Sequence, residues 1–251
     1  MKIPQIIAHR GGRAWAPENT LAAFRRALES GVHGIELDVQ RCASGELVVI
    51  HDEEISRTTN GFGLVRDCTL EELQRLSAGL WYDDEFGEER VPTLAAVLEL
   101  LAGKCELNIE LKNTPIAYPG MEDELLELLD GYPVQTLIIS SFDHKLMATV
   151  HALAPHLKIA LLGSAVFLDV KQTATAIGAT YFHPEFDCLR PDIVEEAHLA
   201  GLKVNVWTCN DVAKWRHCVK MGVDGIITDD PEGLKDYLRP LVGASRETSA
   251  D

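Results

Sequence analysis

The feature that most constrains this chain is a regular alternation of short apolar segments with amphipathic segments along most of its 251 residues. The short segments have the length and composition of strands, and the segments between them place apolar side chains at helical spacing. The predicted strands cover residues 6–8, 34–39, 47–50, 107–112, 136–141, 158–162, 179–183, 203–208 and 225–228. Strands that alternate with helices in this number predict a parallel sheet closed into a (β/α)8 TIM barrel, an α/β fold.

This count gives nine strands for the eight places of such a barrel. The difficulty lies at residues 35–39 and 47–50, because the link between them is far shorter than the roughly dozen residues that a parallel crossover needs. Either one of the two segments lies outside the barrel, or the pair is locally irregular. The sequence leaves both possibilities open.

A single catalytic domain is predicted over residues 1–240, since a barrel of this type occupies about 250 residues. The strand and helix pattern loosens between about residues 53 and 91, where Trp81, Tyr82 and Phe86 lie among acidic residues. This segment is predicted to be a small insertion or cap. Within it, Thr69 followed by Glu72 predicts a capping box at the start of a short helix. Residues 243–251 are mostly small and polar, and residues 241–251 are predicted to form a disordered tail.

The net charge of −16 disfavours nucleic acid and anionic membranes as partners, because both are bound by clustered lysine and arginine. The N-terminal residues lack an apolar stretch of signal-peptide length, and no apolar run approaches the roughly 20 residues of a membrane span. The six cysteines have no CxxC spacing, which indicates reduced thiols. A cytoplasmic location is therefore expected, and the oligomeric state is not indicated.

Chemically informative residues cluster where the predicted strands end. Glu36 and Asp38 lie on one face of their strand because side chains alternate with period two, and Glu110 ends a later strand. In a barrel these ends meet at one face, so the three carboxylates would repel each other without a cation. Oxygen ligands alone favour Mg²⁺ or Ca²⁺, with Mn²⁺ as a third candidate, over zinc. Taken singly, a carboxylate could instead form a buried ion pair, for example Glu110 with Lys112.

Two histidines, His9 and His51, also end strands, and imidazole side chains there suit general acid–base catalysis. Arg10 and Lys112 beside a metal would hold the remaining oxygens of a phosphate. The role of His183 stays open.

The ordered set of short motifs resembles the glycerophosphodiester phosphodiesterase family, in its compact bacterial cytosolic form. The motifs are HRG at 9–11, PENT at 17–20, ELDV at 36–39, HD at 51–52, PTL at 92–94, ELK at 110–112 and VWT at 206–208. The resemblance implies a barrel that is irregular around its second and third strands, with a divalent ion bound by Glu36, Asp38 and Glu110. It also matches His9 and His51 to the family's acid–base pair, and Arg10 and Lys112 to its phosphate-contacting cations.

The expected activity is metal-dependent hydrolysis of a small glycerophosphodiester to glycerol 3-phosphate and an alcohol. Phe142 follows a predicted strand and Trp207 lies near the end of another. Both are weaker candidates for contact with the glycerol or alcohol moiety, since aromatic residues there also cap barrel cores. Two alternatives remain: a lysophospholipase D-like phosphodiesterase of the same barrel type, and a catalytically silent phosphodiester-binding module. The sequence does not indicate the head group, the physiological metal, which histidine is the acid, or whether water or a glycerol hydroxyl is the nucleophile.

Overall fold

A closed barrel of eight parallel strands forms the centre of the protein, whose residues 2–247 are described by a computed structural model. The strands within these residues are β1 (Gln5–Ala8), β2 (Gly34–Arg41), β3 (Leu47–Val49), β4 (Glu106–Leu111), β5 (Leu137–Ser141), β6 (Lys158–Gly163), β7 (Ala179–Pro184), β8 (Lys203–Val206) and β9 (Gly225–Thr228). Strand β1 pairs in parallel with both β9 and β2, which closes the ring. The predicted (β/α)8 fold is confirmed.

Helices connect the strands. They are α1 (Leu21–Ser30), α2 (Leu70–Arg75), α3 (Leu94–Leu101), α4 (Met121–Leu128), α5 (His144–Leu153), α6 (Val170–Ala176), α7 (Pro191–Leu199), α8 (Val212–Met221) and α9 (Pro231–Glu247). Short 3-10 helices occur at His9–Gly11, Ile55–Arg57, Val65–Asp67, Asp84–Phe86, Val134–Thr136 and Phe186–Cys188. The Thr20 side chain accepts a hydrogen bond from the Ala23 amide at the start of α1, and the predicted capping box of Thr69 and Glu72 is present at α2.

Strand β3 accounts for the surplus strand of the sequence pattern. It runs antiparallel to the end of β2, with Val39 opposite Val49 and Arg41 opposite Leu47. The link between the two strands is long enough for a hairpin and too short for a parallel crossover. Strand β3 therefore lies outside the ring of parallel strands, and β2 takes the barrel position.

The segment after β3 packs with the β2–β3 hairpin around a small hydrophobic cluster, which we call the insertion cluster. Its buried members are Cys42, Val48, Ile50, Ile55, Val65, Leu73, Ala78 and Val91. They are separate from the main core, which contains the barrel strands and the surrounding helices. Five of these residues lie within the predicted insertion at about residues 53–91, which therefore packs on a cluster distinct from the main core.

Alternation along β2 shows how the barrel positions its polar residues. Ile35 and Leu37 belong to the main hydrophobic core together with helix residues such as the fully buried Phe24. Because successive side chains of a strand point to opposite faces, Glu36 and Asp38 project into the barrel interior. The same alternation in β4 directs Glu110 inward, opposite Asp38 in the parallel register.

At the C-terminal end, α9 is described through Glu247, so the helix continues past residue 241, where the sequence predicts a disordered tail. Residues 248–251 of that predicted tail lie outside the described residues. Within residues 2–247, no helix combines the length and the apolar character that crossing a membrane requires.

Candidate active site

A cavity of about 80 Å³ opens where the C-terminal ends of the barrel strands converge. Its lining contains eight of the nine residues that the sequence predicts for the site, and the ninth, Asp38, contacts two of them. The complete lining is His9, Arg10, Glu36, His51, Asn108, Glu110, Lys112, Phe142, Leu162, His183, Trp207, Thr208 and Ile227. The structure therefore brings the predicted residues together in one place.

Glu36, Asp38 and Glu110 form a buried carboxylate cluster, with one oxygen atom of each within 4.8 Å of the others. Burial raises the pKa of Glu36 well above its usual value, and the neighbouring charges of Asp38 and Glu110 raise it further. Burial raises the pKa of Glu110 in the same way. Burial would also raise the pKa of Asp38, but the adjacent Lys112 and Arg10 outweigh it, so that pKa is lowered.

The donor set of this cluster fits a hard divalent cation. All three side chains offer oxygen, which is the donor that Mg²⁺, Ca²⁺ and Mn²⁺ prefer. Burial, followed by repulsion from neighbouring carboxylates, raises the pKa of Glu36 and Glu110, so three ionised carboxylates are disfavoured here without an added positive charge. A divalent cation would supply the missing charge.

Two cations border the carboxylate cluster. The Lys112 ammonium lies 3.0 Å from an oxygen of Asp38 and forms an ion pair with Glu110. The Arg10 guanidinium lies 3.2 Å from Asp38, and the Arg10 backbone amide donates to Glu36 at 3.0 Å. The ion pair of Glu110 with Lys112, which the sequence offered as an alternative, is present, and Glu110 also belongs to the carboxylate cluster.

Glycine is required in the turn that presents Arg10. Gly11 has φ of 84°, and a Cβ there would lie 2.7 Å from the Cβ of Ala23 in α1. A side chain at this position would be strained and would push against the helix. The HRG motif therefore lets the backbone after β1 turn tightly against α1.

Each of the two histidines is paired with a carboxylate. His9 Nδ1 lies 2.5 Å from Asp229, and His51 Nδ1 lies 2.5 Å from Asp52. Because an ionised carboxylate can only accept a hydrogen bond, Nδ1 carries the proton in both rings and Nε2 is left for chemistry. His9 Nε2 lies 3.9 Å from Glu36, and burial lowers the pKa of both histidines.

The remaining wall is apolar and aromatic. The rings of Phe142 and Trp207 meet edge to face with centroids 5.8 Å apart, and Leu162 lines the same cavity. The Trp207 indole is fixed by a hydrogen bond of 2.8 Å to the carbonyl of His183. The His183 ring is fully buried, and burial lowers its pKa to about 3, so it is neutral over the physiological range.

The sequence pattern did not single out several polar residues that the structure adds to the site. Asp229 directly follows β9, so the strand-end rule that identified His9 would also have found it. Asn19 donates to Asp38 at 2.8 Å, and Glu18 contacts Arg10 at 2.7 Å, although both were quoted only as letters of the PENT motif. Asn108 lines the cavity two residues before Glu110, on the same face of β4.

Comparisons of sequence and of structure with known proteins both give phosphodiesterases that act on glycerophosphodiesters or bind glycerol 3-phosphate. The family model described as "Glycerophosphoryl diester phosphodiesterase family" matches residues 9–233. A glycerophosphodiester phosphodiesterase of Caldanaerobacter subterraneus subsp. tengcongensis is 45% identical over 236 residues, covering 93% of this chain and 97% of the relative. One of Bacillus altitudinis is 39% identical over 233 residues, covering 91% and 95%. Among solved structures, an Oleispira antarctica phosphodiesterase in complex with the product sn-glycerol-3-phosphate has a TM-score of 0.87 at 31% identity, covering 94% of this chain and 97% of that one.

Proposed function

Because this chain belongs to the glycerophosphoryl diester phosphodiesterase family, we propose that it hydrolyses glycerophosphodiesters to glycerol 3-phosphate and an alcohol. The observation that carries the proposal is the meeting of the carboxylate cluster, two cations and two histidine–carboxylate pairs at one cavity. The glycerol 3-phosphate bound by the Oleispira antarctica relative supports a small phosphorylated substrate.

Glu36, Asp38 and Glu110 are the residues proposed to hold one divalent cation, Mg²⁺ or Ca²⁺, with Mn²⁺ as a third candidate. When bound, such an ion polarises a phosphoryl oxygen and offsets charge that develops in the transition state. Arg10 and Lys112 line the same cavity and are proposed to hold the other phosphoryl oxygens.

His9 is proposed as the general base and His51 as the general acid. The His9 side chain is only 11% exposed and its pKa is lowered by burial, which keeps the ring neutral and able to accept a proton at Nε2. His51 is 32% exposed, nearer to the solvent that receives the product. His9 takes the proton of the nucleophile as the oxygen of the nucleophile bonds to phosphorus. If the nucleophile is water, glycerol 3-phosphate forms directly. If it is the neighbouring glycerol hydroxyl, a cyclic phosphate forms first and water opens it in a second step. The ester P–O bond breaks, and its electron pair goes to the departing alkoxide oxygen. His51 enters this step protonated on both ring nitrogens, with its charge balanced by Asp52, and gives its Nε2 proton to that oxygen.

Phe142 and Trp207 are proposed to contact the glycerol or alcohol moiety from the apolar wall. Such a wall offers little charge to distinguish head groups, so the proposal covers the class of glycerophosphodiesters. A cytoplasmic location remains a prediction from the sequence.

The test is release of glycerol 3-phosphate from glycerophosphocholine, followed with a coupled enzyme in the presence of Mg²⁺, Ca²⁺ or chelator. We expect release that chelator abolishes and one of the ions restores. His9→Ala and His51→Ala should each lower the rate by about 10²–10⁴-fold. Near-wild-type rates in both variants would refute the assignment of the histidines. No release from folded protein with any ion would refute the hydrolytic function and favour a silent phosphodiester-binding module.

A further inference from the structure

Glu18 is a buried carboxylate to which the proposed mechanism gives no role. Its side chain is 1% exposed, yet it contacts the guanidinium groups of three arginines. One oxygen accepts from Arg10 at 2.7 Å and from Arg57 at 2.8 Å. The other accepts from Arg57 at 2.9 Å and lies 3.0 Å from Arg13. Burial alone would raise the pKa of Glu18, but the three arginines hold it below its usual value, so the carboxylate stays ionised.

Arg57 connects this carboxylate to one of the histidine–carboxylate pairs. One edge of its guanidinium donates to both oxygens of Glu18, and the group also donates to both oxygens of Asp52. Asp52 in turn accepts from His51 Nδ1 at 2.5 Å. A planar guanidinium holds two carboxylates in a fixed relative geometry, which a flexible ammonium cannot do. The position of Asp52, and hence the orientation of the His51 ring, is therefore set from Glu18.

Arg10 connects the same carboxylate to the phosphate-binding side of the cavity. It shares one Glu18 oxygen with Arg57, and its Nε lies 3.2 Å from Asp38 in the carboxylate cluster. Glu18 thus starts two branches of contacts: one runs through Arg57 and Asp52 to His51, and the other is the direct contact with Arg10. Arg57 lies in the 3-10 helix Ile55–Arg57, so one branch passes through the insertion.

We propose that Glu18 is a positioning residue. Through Arg57 and Asp52 it fixes the His51 ring, and by direct contact it fixes the Arg10 guanidinium, so that the two groups keep a constant position relative to each other. The inference rests on the proposed function, because it assigns Glu18 to the His51 and Arg10 of that reaction. Its consequence is that the insertion contributes to catalysis through Arg57. A purely structural Glu18 would only neutralise buried arginines and would affect stability alone.

Two variants separate the branches. Arg57→Gln removes the link to Asp52 and leaves the contact between Glu18 and Arg10, and since the Arg57 side chain is 39% exposed the loss is compatible with folding. We expect kcat to fall by about 10–100-fold with KM unchanged, which is the usual effect of losing a group that orients a catalytic ligand or residue. Glu18→Gln weakens both branches, so kcat should fall and KM should also rise. Arg57→Lys should lower kcat as Arg57→Gln does, because an ammonium group lacks the planar set of N–H donors that binds two carboxylates at once.

The matched control is Glu124→Gln. Glu124 forms an ion pair of 2.7 Å with Arg41, away from the cavity lining, so the same substitution breaks a more exposed glutamate–arginine pair outside the proposed network. Its kcat and KM should equal those of the wild type.

A spectroscopic measurement tests the inference independently of turnover. The His51 Nδ1 proton, bonded to Asp52 at 2.5 Å, should give a low-field NMR resonance that shifts or disappears in Arg57→Gln and Glu18→Gln. Unchanged resonance, kcat and KM in folded variants, with only the melting temperature lowered, would overturn the inference. An inactive wild type would refute the proposed function, and the resonance would then still decide whether Glu18 positions His51.

Discussion

Asp229→Asn should reveal how much of the catalysis depends on the tautomer of His9. In the wild type, the carboxylate accepts from His9 Nδ1 at 2.5 Å, which keeps the proton on Nδ1 and leaves Nε2 able to accept one. Asparagine occupies the same volume but can place either an oxygen or an NH₂ group next to the ring. The outcome therefore depends on which way the new amide faces.

The neighbouring Asn210 decides this orientation. The Asn210 side-chain oxygen accepts from the backbone amide of residue 229 at 2.8 Å, so its NH₂ group is directed at the other oxygen of Asp229, 2.7 Å away. In the variant, the carbonyl oxygen of the new asparagine must satisfy that NH₂ group. Its own NH₂ group then faces His9 Nδ1 and forces the ring proton onto Nε2. The atom that should accept the proton of the nucleophile is thereby blocked.

The expected loss is that of a general base, a fall in kcat of about 10²–10⁴-fold, or about 2.7–5.4 kcal/mol of transition-state stabilisation. KM should stay the same because the lost interaction exists only in the transition state. The assay is coupled glycerol 3-phosphate release under saturating metal. Asp230→Asn is the matched control, since Asp230 is the next residue along the chain and its side chain accepts from the Gly233 amide at the start of α9. A kcat for Asp229→Asn within about threefold of the wild type would refute the reasoning.

Three further predictions concern the metal, pH and the apolar wall. A divalent ion at 100 times its Kd should stabilise the folded protein by about 2.7 kcal/mol and so raise its melting temperature in a thermal-shift assay. Glu36→Gln should abolish this rise. An unchanged melting temperature of the wild type would contradict the metal site. Burial raises the pKa of Asp224, but its contacts with Lys2 and His198 outweigh burial and lower that pKa in the folded state. The ionised Asp224 therefore stabilises the fold above the unfolded pKa of about 3.9, and this stabilisation is lost as pH falls through the folded pKa. Urea denaturation at neutral and acid pH should show a flatter pH dependence for Asp224→Asn, and identical curves would count against this. Trp207→Ala should raise KM for several head groups alike, and an unchanged KM would indicate that the ring only caps the barrel.

The sequence predicted those parts of the protein that follow from local periodicity. The alternation in β2 placed Glu36 and Asp38 on one face, and the barrel topology then brought them to Glu110 from a strand that lies far along the chain but is adjacent in space. His9 and His51 were found because each directly follows an apolar strand. These inferences needed only the period of two along a strand and the convergence of strand ends.

The sequence could not predict contacts that depend on where loops return to the barrel. Asp229 meets His9 across 220 positions of the chain, and Glu18 meets Arg57 across 39. No periodic pattern encodes such pairs, because the loop path that joins them is set by packing in three dimensions. Strand β3 was counted correctly but could not be placed, since hydrophobic alternation does not distinguish a hairpin strand from a barrel strand.

We expect the insertion cluster to open as a separate unit at lower free energy than the barrel. It contains eight buried apolar residues and is separate from the core that closes the barrel through β1 and β2. Small units of this kind open at lower free energy than the global transition. Because Arg57 lies in this segment beside the buried Ile55, such an opening removes its contacts with the active site while the barrel stays folded. Mild denaturant should therefore reduce turnover before it reduces the far-ultraviolet circular dichroism of the barrel, and amides of the insertion should exchange hydrogen faster than those of the parallel strands.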